Sequence, residues 1–79
     1  MDGVEWEIKS PIGKSKSTIE KNIKRALLQS PYIIIDLKRV NLPNDFCIAQ
    51  AKLQFEKRTS IKKMYVIKKD HTHILFNRK

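Results

Sequence analysis

The run Tyr32-Ile33-Ile34-Ile35-Asp36-Leu37-Lys38 constrains this chain more than any other stretch. A β-strand sends alternate side chains to opposite faces, so Ile33, Ile35 and Leu37 share one face and Tyr32, Ile34 and Asp36 the other. Apolar residues on both faces predict a central strand covered on both sides. Such a strand needs neighbours on each flank and layers packed against the sheet. A chain of 79 residues has room for one core of this kind. A single domain over 1–79, or a piece of a larger one, is therefore expected.

The flanking segments supply the neighbours. Val4 to Lys9 alternates, with Val4, Trp6 and Ile8 on one side and Glu5, Glu7 and Lys9 on the other, which predicts a first strand. Ser10 to Ser17 mixes Pro, Gly, Ser and Lys, the chemistry of a loop. Ser17-Thr18-Ile19-Glu20 fits a capping box, and Ile19, Ile23, Ala26 and Leu27 then recur as one helical stripe until Pro31. A cap at Asn44 or Asp45 opens a second helix of roughly Asp45 to Lys57. Its stripe reads Ile48, Ala51 or Lys52, and Phe55, with Phe46, Ala49 and Leu53 alongside. Lys62 to Lys69 alternates again, Asp70 to Thr72 is a tight turn, and His73 to Asn77 returns as the second arm of a hairpin. The expected fold is α/β, in the order β-α-β-α-β-β: a small mixed sheet with helices packed on it, its first two strands parallel and its last pair antiparallel.

Charge bears on function. Seventeen Lys and Arg against eight Asp and Glu leave a formal net charge of +9. Such a surface attracts polyanions, because each neutralised phosphate releases condensed counterions. Nucleic acid is the first reading, an acidic protein the second, and a functionally neutral basic surface the third. Lys14, Lys16, Lys21, Arg25, Lys38 and Arg39 are the candidate phosphate contacts. The amides of Thr18 to Lys21, at the start of the first helix, form a natural anion-binding end. No apolar run is long enough to span a membrane, and the first residues lack the pattern of a signal peptide. The lone Cys47 reads as a buried or half-buried apolar side chain in a reducing compartment. A chain made in the cytoplasm, or one module of a larger protein, is expected.

Glu7-Ile8-Lys9 carries the most chemistry. Phosphodiester cleavage needs charge neutralised on the phosphate and a nucleophilic water, and carboxylates holding a hard cation serve both needs. A lysine two positions along a strand projects from the same face and can orient that water. The same string also arises on an ordinary solvated strand face. Asp36 sits in an apolar strand, where a carboxylate is costly unless paired or metal-bound. If the first two strands are adjacent, it can approach Glu7 and Lys9 as a second metal ligand; an ion pair with a neighbouring Lys or Arg is the plainer reading. His71 and His73 flank the last turn and could supply acid and base, although histidines at such turns are usually neither. Trp6 and Tyr32 read as core anchors, and the position of Tyr65 is open.

The segments DGVEWEIKSP, TIEKNIKRALLQSPYIIIDLKR and SIKKMYVIKKD resemble the C-terminal toxin nuclease domains of contact-dependent growth inhibition proteins and related phage or mobile-element proteins. The resemblance runs from Asp2 to about Asp70, and WEIKSP and QSPYIIIDLKR are its most specific parts. It implies a restriction-endonuclease-like core of the PD-(D/E)XK type, cleaving DNA or tRNA with a divalent metal such as Mg²⁺, Mn²⁺ or Zn²⁺. Glu7 and Lys9 would be its acidic and lysine residues. That pattern also takes an acid from further upstream; here only Asp2 precedes the first strand, five residues before Glu7, so the resemblance implies either a chain that begins inside the domain or another carboxylate in that role. A metal-independent ribonuclease of the colicin and RelE type and a catalytically silent nucleic-acid- or protein-binding module are the alternatives. An inhibitor protein, or a second copy paired through a sheet edge, is a further expected partner.

Overall fold

The computed structural model describes residues 5–78, so Val4, Asp2 and Lys79 lie outside the described residues. The elements are β1 (Glu7–Lys9), α1 (Thr18–Leu27), β2 (Tyr32–Asp36), α2 (Asn44–Lys57), β3 (Lys63–Ile67) and β4 (His73–Asn77), in the order the alternation predicts. They form one four-stranded sheet in the order β1-β2-β3-β4. The first two pairings are parallel and the last is antiparallel. Among the described residues no helix is long and apolar enough to cross a membrane.

Both crossovers step across the sheet in the same direction. A right-handed crossover places its helix on the side set by that step, so both helices land on one face. There Ile19, Ile23 and Ala26 of α1 and Cys47, Ala51 and Phe55 of α2 close over Ile33, Ile35, Met64 and Val66. The expectation of a strand covered on both sides is corrected here. Ile33 and Ile35 are fully buried, whereas Tyr32, Ile34 and Asp36 are only half-buried on a face that neither helix covers.

Two local signals resolve differently from their sequence reading. The capping box does not close: the Ser17 side chain makes no cap bond, and Glu20 instead accepts from Gln54 Nε2 at 3.3 Å, tying α1 to α2. The second helix begins at Asn44 after Pro43, and its buried stripe is Cys47, Ala51, Gln54 and Phe55. Ile48 is only partly buried, and Leu53 is 46% exposed. Apolar residues lie all round α2, so periodicity could not phase it. Its contacts with α1 and the sheet do. Gln54 is tolerated inside because Arg58 Nε also donates to its Oε1 at 2.7 Å.

Arg78 closes the far end of the core. Its guanidinium lies 4.1 Å from the centroid of the Phe55 ring. It donates to Ile61 O at 2.8 Å and to the carbonyls of Phe55 and Arg58, which satisfies exposed acceptors at the end of α2. In the β3–β4 hairpin, Asp70 Oδ1 accepts from the Thr72 hydroxyl at 2.6 Å and the Thr72 N–H at 3.1 Å. Those two donors hold its carboxyl below the usual range.

Candidate functional site

Strand β1 is built against its own hydrophobic pattern. Parallel pairing sets Glu7 beside Ile33 and Lys9 beside Ile35, so both charged side chains point to the helix-bearing face at its rim. Ile8 pairs with Ile34 on the other face and is 61% exposed. The expected apolar and polar sides are thus reversed. Register holds this arrangement, since a slip of one residue would flip every side chain. Before the strand, Ser30 Oγ donates to Glu5 O at 2.7 Å; after it, Pro11 is fully buried. Gly13, at φ 117°, then bridges in parallel to Val40 and accepts from the Asn41 N–H at 2.8 Å. A residue with a Cβ would be strained at that φ.

Glu7 and Lys9 do share a face, as their spacing requires. Lys9 Nζ lies 3.2 Å from Glu7 Oε2, with side chains 28% and 29% exposed. Asp36 does not join them. It follows Ile35, the partner of Lys9, and so projects from the opposite face. Its Oδ1 accepts from the Lys38 N–H at 3.0 Å, and Lys38 Nζ is 3.9 Å from Oδ2. The expected approach of Asp36 to Glu7 fails because a shared face needs an even register offset, and Asp36 lies three residues beyond Ile33, the partner of Glu7. Among the described residues no group of three or more His, Cys, Asp and Glu could hold a metal.

The basic residues gather by topology. The three parallel strands end on the same side of the sheet, the side where α/β sheets commonly bind ligands. Lys14 and Lys16 lie on the loop after β1, and Lys38 and Arg39 on the loop after β2, all exposed. Lys21 is exposed in the first turn of α1, whereas Arg25 is exposed in its last turn, toward the start of β2 and away from this end. Lys68 and Lys69, in the turn after β3, join the same end and were not among the expected contacts. They look in sequence like the end of a strand, and only the hairpin turn brings them round. The anion-binding end expected at α1 is partly occupied: the Thr18 and Lys21 amides donate to Ser15 O and Ser17 O at 3.1 and 3.0 Å.

The uncovered face has a character of its own. Register lays out the rows Tyr32–Lys63–Asn77, Ile8–Ile34–Tyr65–Leu75 and Asp36–Ile67–His73. The Trp6 ring lies 5.4 Å from Tyr32 and 5.4 Å from Tyr65, and Tyr65 lies 5.5 Å from His73. Trp6 and Tyr32 are therefore half-buried on the open face, not anchors of the core. Ile34, Tyr65, Ile67, His71 and His73 line a shallow cavity of about 390 Å³. The signal for this face lay in the topology: two successive crossovers in one direction leave one side of the sheet without a helix among the described residues.

A family model for the contact-dependent growth inhibition CdiA C-terminal domain matches residues 1–73. Neither the curated proteins nor the solved structures contain a match.

Proposed function

Because this chain belongs to the family of contact-dependent growth inhibition CdiA C-terminal domains, which are toxin domains, we propose that it is a nuclease toxin hydrolysing phosphodiester bonds of DNA or tRNA with a divalent metal. The observation that supports this most is the reversal of β1. A carboxylate and an ammonium stand beside Ile33 and Ile35, where an apolar side chain would gain from burial, while Ile8 is given to solvent. Departures of this kind from local pattern are expected at functional sites.

Glu7 is the proposed metal ligand. Cations such as Mg²⁺ are commonly held by one or two carboxylates together with substrate phosphates, which one partly exposed carboxylate at a sheet rim fits. When bound, the ion would polarise the phosphoryl group and acidify a water. Lys9, 3.2 Å from Glu7, meets negative charge as it develops on the phosphate. Lys14, Lys16, Lys21, Arg25, Lys38 and Arg39 hold backbone phosphates on either side. The test is cleavage of DNA and of tRNA with Mg²⁺, Mn²⁺ or Zn²⁺. Glu7→Gln is expected to cut the rate by about a hundredfold or more. No cleavage with any of these metals, or full activity in Glu7→Gln, would refute the proposal.

A second reading is favoured by one observation. His71 and His73 line the same cavity as Tyr65, as the acid and base of a metal-independent ribonuclease would. Cleavage that survives chelator and is lost in His73→Ala would select it.

A further inference from the structure

We propose that the open face of the sheet, centred on Trp6, Tyr32 and Tyr65, is a stacking platform for unpaired bases of a single-stranded nucleic-acid segment. This rests on the reading that the ligand is nucleic acid and says which form of it is bound, and where.

The face is apolar without being a core. The Trp6 ring lies 5.4 Å from both Tyr32 and Tyr65, and among the described residues no helix lies over them. Ile8, at 61% exposed, and Leu75, at 42%, extend the surface to both edges of the sheet. Soluble domains seldom leave such a patch without a use. Aromatic faces bind bases of any sequence, because every base offers a π-face, and they pair naturally with cations that track the backbone.

Charge identifies the occupant. Lys63 shares the first row with Tyr32, and Tyr32, Lys62, Lys63 and Arg78 border a second concavity of about 380 Å³. Lys38 and Lys68 stand at the other end of the face, beyond Asp36 and Ile67. Cations at both ends of an apolar strip suit a ligand with flat apolar bases and a charged backbone. A second copy would bring its own +9 against this one. A duplex keeps its bases stacked inside and offers the rings no free base face.

The platform also adjoins the proposed chemistry. Trp6 immediately precedes Glu7, and the two lie on opposite faces of an edge strand whose outer side has no partner among the described residues. A strand stacked on Trp6 and passing over that edge delivers its next phosphate to Glu7 and Lys9.

Trp6 is the chain's one tryptophan, so its fluorescence reports on this face directly. The experiment titrates the full chain, in chelator and at fixed ionic strength, with oligo-uridine, oligo-thymidine, a duplex of equal length and heparin. Single strands are expected to quench Trp6 and to bind about tenfold or more tighter than the duplex. Tyr65→Ala should weaken single-strand binding by about tenfold and leave heparin binding unchanged. Should that variant fail to fold, Tyr65→Leu keeps the volume, removes the ring and should show the same loss. Equal binding of single strand and duplex without quenching overturns the platform and leaves the nucleic-acid reading standing. No binding to any nucleic acid removes both. Quenching that follows protein concentration alone assigns the face to a second copy and overturns the proposal.

Discussion

The helix-bearing face and the open face of this sheet draw on the same strands, one residue out of step. Ile33, Ile35, Met64 and Val66 are fully buried, while Ile34, Tyr65 and Ile67 between and beside them are half-buried. Their hydrophobicity is alike; what separates them is the direction in which the chain crosses from strand to strand. The charged pair of β1 makes the same point from the other side, since Glu7 and Lys9 occupy the face that composition would assign to Ile8. Burial in so small a sheet is a property of the topology before it is a property of the residue.

The widest gap between the faces should appear in stability. Ile33→Ala is expected to cost about 2–5 kcal/mol, a large share of what a small domain has. Ile34→Ala, its neighbour on the open face, should cost about 1 kcal/mol, because only part of its surface leaves water. Urea unfolding of the two variants measures the difference; similar losses would mean that the open face is packed as tightly as the covered one.

A smaller effect of opposite sign is expected where the faces exchange roles. Replacing the ion pair by apolar residues, as in the double variant Glu7→Leu with Lys9→Ile, should stabilise the fold by about 1–2 kcal/mol. The same variant should lose cleavage. A double variant that is both less stable and fully active would show that the pair is structural and that the reversal of β1 has no functional meaning.

The smallest effect belongs to the hairpin that joins the two faces at β4. The Asp70 carboxyl is held below its usual range by the Thr72 hydroxyl and N–H, so ionised Asp70 favours the folded state. That contribution is fully present above the ordinary carboxylate pKa and is lost as pH falls through the lower folded value. Thermal unfolding across the acid range should therefore show a slightly shallower decline in Asp70→Asn than in the parent chain. Identical profiles would show that the turn contributes nothing through this charge.

Much of the fold was legible in the sequence, and for physical reasons. Alternation located β2, β3 and β4, with His73–Asn77 found at its observed bounds, and chain order with the right-handed rule supplied the parallel pairing. What stayed illegible depended on partners distant in the chain. Trp6 and Ile8 looked like a core face because nothing local reveals that both crossovers run the same way. The phase of α2 was hidden because Gln54 becomes a buried residue only through Glu20 and Arg58. Of the site, the shared face of Glu7 and Lys9 was legible from spacing alone, whereas the separation of Asp36 needed the register. The open aromatic face was missed because its residues, read singly, look like core.

The strand order carries a mechanical consequence. Strands lie across the sheet in the order in which they occur along the chain, so none has to be inserted between two already in place. Glu5, tied to Ser30, and Arg78, bonded to Lys62, leave from the same end of the sheet at opposite edges. Tension between these ends loads the outer strands first and parts their ladders one bond after another. A sheet ordered in this way peels from its edges under modest force and zips back strand by strand along the chain.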